Sequence, residues 1–232
     1  MRYYPIYLDI DKQPVIVIGG GEIAFRKIEV LLDAGARVTV ISPNLYPDLA
    51  KLVDQKEVQH ISRTYQPGDL TGYRICFVGT DDTSVNNVVA QEGRDLRVLV
   101  NAVDDTKNCD FIMPSVVRQG DLTIAISTAG VSPAAARKIR EEFEEKITED
   151  YALLLEVAGD VRQDLRKQQV AIDTEIWNAA LDDHFRSLLI ANRTKEAKEY
   201  LMSNLLNNGG CDLKEPNESE GCSRCSYLMV MN

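Results

Sequence analysis

The stretch Val15-Ile16-Val17-Ile18-Gly19-Gly20-Gly21-Glu22-Ile23-Ala24 decides the fold. Its β-branched run predicts a buried strand, its three glycines predict a tight turn, and the residues that follow predict a helix. The first N–H groups of a helix are unpaired and carry a partial positive charge, so this junction suits a pyrophosphate. The pattern Gly19-x-Gly21-x-x-Ala24 is typical of dinucleotide binding.

The residues after the turn complete a strand, helix and strand. A second strand is predicted at 37–41, and the helix before it has apolar residues at helical spacing. These residues are Ile23, Phe25, Ile28, Leu31 and Leu32. The alternative is a purely structural turn in an α/β domain without a cofactor. The second strand ends at Ser42-Pro43-Asn44 with no Asp or Glu for a ribose 2′-hydroxyl, which leaves the choice between NAD and NADP open.

Two more strands are predicted at 74–79 and 96–103, with a helix between them. The predicted apolar side of that helix consists of Val85, Val88, Val89 and Ala90. Alternating strands and helices over residues 1–113 predict an α/β fold with a Rossmann-like, mainly parallel sheet. Ligands of such sheets bind beyond the carboxyl ends of the strands. We therefore expect the glycine turn, Ser42-Pro43-Asn44, Thr80-Asp81-Asp82 and Asp104 to line one crevice.

The remaining chain is predicted to form three further segments. Residues 114–147 combine an antiparallel hairpin, with its turn at Gln119-Gly120-Asp121, and a helix that Ser132 caps and Pro133 opens. Residues 148–208 are expected to be helical throughout, and residues 209–232 to be a disordered tail that contains cysteines. A ββα segment is too small to stand alone, so we expect it to pair with a second subunit in a homodimer.

Composition limits the classes of partner and compartment. The 232 residues are 44% hydrophobic and 27% charged, as in ordinary globular proteins, and the net charge is −10. That charge disfavours nucleic acid and anionic membranes as partners. The sequence has no run of ~18 apolar residues and no apolar region of a signal peptide at its start, so a cytoplasmic location is expected. An odd number of cysteines, five, does not suggest a disulfide framework.

Several strings occur in an order that resembles the precorrin-2 dehydrogenase / sirohydrochlorin ferrochelatase family of siroheme synthesis, over about residues 3–205. The strings are Pro5-Ile6-Tyr7-Leu8, the glycine turn with Ala24 and Lys27, Gly79-Thr80-Asp81-Asp82 with Val85-Asn86, Asn101-Ala102-Val103-Asp104, Phe111-Ile112-Met113-Pro114-Ser115, and Ser127-Thr128-Ala129-Gly130 with Ser132-Pro133 and Ala136-Arg137. The resemblance implies a nucleotide-binding domain, a central dimerisation segment and a C-terminal helical domain. It implies NAD-dependent oxidation of precorrin-2 to sirohydrochlorin, and some members of the family also insert ferrous iron.

The resemblance also implies roles for individual residues. Asp104 matches the catalytic aspartate of the family and is the expected general base; the alternative is an aspartate that only forms a turn or a helix cap. The resemblance places cofactor contacts at Glu22, Ile23, Pro43 and Asn44, and the pattern of turns and strand ends adds Gly19, Gly21 and Thr80.

The substrate implied by the resemblance is a tetrapyrrole rich in carboxylates, so an acidic protein needs a local group of cations to bind it. The candidates are Lys107, Arg118, Arg137, Lys138 and Arg140. The alternative is a solvated helix face on which these cations pair with Glu141, Glu142 and Glu145.

The C-terminal tail departs from the family pattern. Cys222 and Cys225 have the spacing of a metal knuckle or a redox pair, with Cys211 before them, but no histidine is near. They are weak candidates for metal ligands, and a tail of free thiols is the alternative. Two other functions also stay open: a dedicated chelatase that binds no nucleotide, against which the intact glycine turn argues, and a non-enzymatic module that senses NAD.

Overall fold

The computed structural model describes residues 2–80, 82–103, 106–209 and 211–212. The chain forms two compact units, Met1–Met113 and Pro114–Asn232. The finer predicted division of the second unit at 147/148 stays a prediction.

The first unit is a five-stranded parallel sheet with helices. In chain order its elements are β1 (Pro14–Ile18), α1 (Glu22–Asp33), β2 (Arg37–Ile41), α2 (Pro47–Asp54), β3 (Val58–Ile61), β4 (Ile75–Val78), α3 (Thr83–Leu96), β5 (Leu99–Ala102) and a 3₁₀ turn (Thr106–Asn108). The strand order is β3-β2-β1-β4-β5, with every neighbouring pair parallel. This order places β1 and the turn after it at the centre of the sheet and confirms the predicted α/β fold.

The centre of the sheet is buried on both faces because β1 and β4 are apolar at every position. Val15 and Val17 pack in one cluster with Ile28 of α1, whereas Ile16 and Ile18 pack in the other. The helices are therefore needed on both sides of the sheet.

Two of the predicted core positions are wrong. Ile23 is 54% exposed, and Val88 is 46% exposed. Helical geometry explains both, since each side chain lies one residue away from the buried positions of its helix, which include Ala24 and Val89. Helix α3 instead buries Gly93 against β5, where a bulkier residue would collide with Val100.

The second unit begins with the predicted hairpin and helix. Strands β6 (Ser115–Gln119) and β7 (Leu122–Ile126) pair antiparallel, and α4 (Pro133–Glu144) follows. The Ser132 hydroxyl accepts a hydrogen bond from Ala135 N at 3.2 Å, as expected of an N-cap. Within 114–147, all of which the structure describes, Val117 and Ala136 are the only buried residues.

Four helices make up most of the rest of the second unit: α5 (Glu149–Lys167), α6 (Thr174–Ala180), α7 (Asp183–Ile190) and α8 (Thr194–Gly209). They enclose a core that includes Val161, Phe185 and Leu201, all fully buried. Arg186 Nε of α7 donates to Asp150 Oδ2 of α5 at 2.9 Å. Burial raises the pKa of Asp150, but hydrogen bonds from Thr148 and Arg186 outweigh it and hold that pKa below its usual value.

The expectation of helix throughout 148–208 is wrong at one place. Val170–Ala171 forms a short strand, β8, which pairs antiparallel with β9 (Cys211–Asp212). The left-handed residue Gln169, with φ of 60°, turns the chain out of α5 before it. Residues 211 and 212, expected in a disordered tail, are thus paired, while Cys222 and Cys225 lie outside the described residues. No helix in the described ranges is long and apolar enough to cross a membrane.

The close approach of α3 to β5 predicts opposite effects for two Gly→Ala substitutions. A Cβ at Gly93 would lie 2.2 Å from Val100 Cγ2 and 3.1 Å from Val98 O, so Gly93→Ala should lower the free energy of unfolding by about 1–3 kcal/mol despite its better helix propensity. The control is Gly159→Ala in α5, where an added Cβ meets no described atom within 4 Å. This substitution should raise that free energy by about 0.5–1 kcal/mol. Urea denaturation measures both, and a stabilising Gly93→Ala contradicts the packing described.

Candidate functional site

Three loops meet at the carboxyl edge of the sheet, where β1, β2 and β4 end. Tyr46 N donates to Gly20 O at 2.7 Å, which joins the segment after β2 to the glycine turn, and Gly79 N donates to Ile18 O at 2.8 Å on the other side. A Cβ on Gly19 would lie 2.5 Å from Gly79 O, and a Cβ on Gly20 would lie 2.3 Å from Asn44 O. Both glycines are therefore required by the backbone of the neighbouring loops.

Gly21 has no such requirement from the protein. Its φ of −78° and ψ of −177° are open to any residue, and a Cβ there would meet no atom of the described residues within 4 Å. It is the N-cap of α1, and the described side chains make no hydrogen bond to the cap. The unpaired N–H groups of the first turn of α1 thus face open space, and this cradle fits the phosphates of a dinucleotide.

Two of the predicted cofactor contacts lie in that first turn. The Glu22 carboxylate pairs with the Arg26 guanidinium one turn later, and Ile23 is largely exposed. Their exposed side chains leave the N-terminus of α1 accessible.

Two hydrogen bonds hold the turn after β2 in place. Ser42 Oγ donates to Asn44 O at 2.6 Å, and His60 Nε2 of β3 donates to Ser42 O at 2.9 Å. Pro43 and Asn44 are exposed at the same edge of the sheet as the glycine turn. The sequence does not indicate this role of His60. The role depends on the pairing of β2 with β3, and the sequence pattern does not predict β3.

Thr80 is held in place after β4. Its hydroxyl donates to Asn86 Oδ1 at 2.9 Å, and Asn86 Nδ2 donates back to Thr80 O at 3.3 Å. Asp82 caps α3 by accepting from Ser84 N at 2.8 Å. Hydrogen bonds from the Ser84 hydroxyl and amide lower the pKa of Asp82, so it stays a carboxylate at neutral pH.

The segment after β5 is hydrogen-bonded to β4 where it begins and to β5 where it ends. Val103 N donates to Val78 O at 2.9 Å, and Asp110 N donates to Val100 O at 2.8 Å. The Cys109 thiol donates to Ala102 O at 3.1 Å. Asp104, the predicted base, falls between Val103 and Cys109 in the sequence but lies outside the described residues.

The predicted substrate cations fall in both units. Lys107 lies in the 3₁₀ turn of the first unit, whereas Arg118 on β6 and Arg137 and Lys138 on α4 are exposed in the second. Arg140 pairs with Glu144, and its Nη2 lies 3.9 Å from Glu141 Oε1. The alternative, in which these cations pair with glutamates along the helix, thus holds for Arg140, although its main partner is Glu144.

The part of the chain that the structure describes contains no group of three or more His, Cys, Asp or Glu that could hold a metal ion. Cys76 is buried in the sheet, where desolvation raises the pKa of its thiol well above the usual value. It is therefore a protonated core residue.

Comparison with known proteins agrees with this geometry. Residues 6–115 match a family model described as "Putative NAD(P)-binding", and residues 119–146 match one described as "Sirohaem biosynthesis protein central". The first model covers the whole crevice, and the second covers β7 and α4. The first unit is thus an NAD(P)-binding domain.

Curated relatives and a solved structure extend the similarity. A siroheme synthase of Photobacterium profundum is 34% identical over 205 residues, which cover 88% of this chain and 44% of that protein. Siroheme synthase 1 of Serratia proteamaculans is 33% identical over 207 residues, with the same coverage of 88% and 44%. The chain thus spans less than half the length of these relatives.

The solved structure "SirC, precorrin-2 dehydrogenase" superimposes with a TM-score of 0.73 at 25% identity. The match covers 87% of this chain and 100% of that one. In its motifs, its fold and these matches, the chain is similar to proteins of siroheme biosynthesis, namely siroheme synthases and a precorrin-2 dehydrogenase.

Proposed function

We propose that the protein oxidises precorrin-2 to sirohydrochlorin with NAD as the hydride acceptor. The observation that carries this proposal is the open cradle at Gly21, in a chain that matches a precorrin-2 dehydrogenase over that enzyme's whole length. A fold match alone would leave the reaction open, whereas the crevice supplies the cofactor site that the reaction needs.

Each loop of the crevice has a separate part in binding the cofactor. Gly19 and Gly20 allow the turn to approach its neighbours, and the N–H groups of the first turn of α1 bind the pyrophosphate. Pro43 and Asn44 would hold the adenosine ribose, and Thr80 would contact the cofactor at the end of β4. Bound NAD supplies the hydride acceptor.

The segment after β2 supports NAD over NADP. Residues 42–46 carry no cation that could bind a 2′-phosphate. Arg63, two residues beyond β3, donates from both terminal nitrogens to the carboxylate of Asp69 at 2.7 Å. Its charge is thus already neutralised within the protein.

Asp104 is the proposed general base. Oxidation removes one hydride and releases one proton as conjugation extends around the macrocycle, and the Asp104 carboxylate accepts that proton. Arg118, Arg137, Lys138 and Arg140, together with Lys107, are proposed to bind the carboxylates of the substrate. The proposed location is the cytoplasm.

Iron insertion is a second proposed activity, and the resemblance to the family supports it. Ferrous iron would then be a substrate, and the described residues offer it no preformed metal cluster. A dedicated chelatase and an NAD sensor are the two alternatives to the dehydrogenase. The chelatase would need no dinucleotide, and the sensor would need no general base at Asp104.

Gly21→Val should abolish NAD binding without unfolding the protein. A Cβ at this position would meet no described atom within 4 Å and the backbone conformation is an ordinary one, but the valine side chain would fill the space in front of α1. Calorimetric titration should show at least a ~10²-fold weaker Kd at an unchanged Tm. Gly20→Val is the contrast, because its side chain collides with Asn44 and should lower the Tm itself. Unchanged NAD affinity in Gly21→Val would place the cofactor elsewhere.

Anaerobic precorrin-2 and NAD should yield sirohydrochlorin and NADH, followed by absorbance, with NADP a poorer acceptor. Asp104→Asn keeps the side-chain volume but removes the proton acceptor, so turnover should fall by ~10²-fold or more at unchanged NAD affinity. With ferrous iron and sirohydrochlorin, the same variant tests whether metal insertion uses this carboxylate.

The outcomes separate the three functions. If the wild-type protein forms no NADH from precorrin-2 and NAD, the dehydrogenase function is contradicted. Iron insertion without NAD binding supports a dedicated chelatase. NAD binding with neither reaction supports a sensor. Full turnover of Asp104→Asn would show that Asp104 only forms a turn and is not the general base.

The protein should be a homodimer through residues 115–144. This segment buries little of its own surface, and Val131, Ile139 and Phe143 are exposed at 87%, 37% and 40%. Apolar surface of this kind is covered in a stable assembly. Sedimentation at micromolar concentration should give about twice the chain mass of 25.9 kDa. A single 25.9 kDa species contradicts the proposal.

A further inference from the structure

A polar residue interrupts one of the apolar rows of the sheet. Val40, Val17, Phe77 and Asn101 are register partners on β2, β1, β4 and β5. The three apolar residues of this row are at most 3% exposed, and Asn101 is 7% exposed. Burying an amide costs free energy unless it is fully hydrogen-bonded, so this asparagine needs a reason.

The Asn101 amide joins two parts of the first unit. Its Oδ1 accepts from Lys27 Nζ of α1 at 2.9 Å, and its Nδ2 donates to Phe111 O at 2.9 Å. The ammonium group of Lys27 also lies 4.9 Å from the centre of the Phe77 ring, and that ring meets Phe111 edge-on at 5.5 Å. Because a cation can only be a donor here, Lys27 fixes which end of the amide faces Phe111.

These contacts connect the cofactor helix to the segment after β5. Helix α1 presents its first turn to the crevice, and Lys27 lies on that same helix. Phe111 ends the segment that begins at Val103, and Asp110 and Cys109 tie it to β5 just before that end. The chain of contacts therefore runs from the dinucleotide cradle, across the sheet, to the base of the neighbouring loop.

We propose that Lys27 and Asn101 are positioning residues, which hold the segment after β5 at a fixed distance from the cofactor helix. This inference rests on the proposed function, because the proposed base belongs to that segment. Misplacing a reacting group by about 1 Å can cost ~10²-fold in rate. An apolar pair would fill the same space but would not fix the segment's end.

Lys27→Met tests this role, because methionine keeps much of the apolar stem over Phe77 and removes the donor. We expect turnover with precorrin-2 to fall by ~10-fold or more, while the Kd for NAD stays within about 2-fold. Amide exchange at Asp110, whose N–H bonds Val100 O, should become ~10-fold faster because the segment opens more often. Lys27→Arg, which keeps a donor and a cation over the ring, should restore most of the turnover.

A second variant and a control separate positioning from general stability. Asn101→Asp keeps the partner of Lys27 but removes the donor to Phe111 O, so it should reproduce both the slower turnover and the faster exchange. Lys51→Met, at an exposed lysine that pairs with Asp48 on α2, should change neither. If Lys27→Met fails to fold, Asn101→Asp decides the question.

Wild-type turnover and wild-type exchange in either folded variant overturn the positioning role. A loss of turnover that comes with an equal loss of NAD affinity overturns it as well, since the defect would then lie in the cradle. If the wild-type protein oxidises no precorrin-2, the proposed function fails, and the exchange rates alone decide whether Lys27 holds the segment.

Discussion

The close approach of three backbones at the carboxyl edge of the sheet is the constraint on which the rest of the first unit depends. The carbonyl groups of Gly79 and Asn44 occupy the space that side chains at Gly19 and Gly20 would need. With those side chains absent, β1 can lie between β2 and β4 and turn directly into α1. This single arrangement brings the N-terminus of α1, the turn after β2 and the end of β4 together at one edge of the sheet.

The second unit follows a different physical rule. Helices α5 to α8 bury a contiguous apolar core, whereas the hairpin and α4 bury very little. Ion pairs such as Arg140 with Glu144 and Glu141 add little stability at an exposed helix surface. The hairpin and α4 are therefore more dependent than the helices on packing partners beyond themselves.

Most of the sheet could be predicted from sequence because its strands are continuous apolar runs between turn residues. Helix faces were harder, since Ile23 and Val88 are apolar yet one residue out of phase with the buried positions of their helices. The strand Val58–Ile61 escaped prediction because it has four residues, and its two central ones, Gln59 and His60, are polar, so it shows neither an apolar run nor alternation. The link from Lys27 to Asn101 spans 74 residues of sequence, and neither residue type signals the other.

The three glycines of the turn differ in what constrains them, and this difference gives a way to read related sequences. Gly19 and Gly20 are constrained by the backbone of the neighbouring loops, so any chain that keeps this sheet must keep both glycines or change those loops. Gly21 is not constrained by any described atom of the protein, so only a ligand in front of α1 would require a glycine there. A relative that has abandoned the dinucleotide would be free to change its third glycine while retaining the first two, and its sequence would record the loss without any change in architecture.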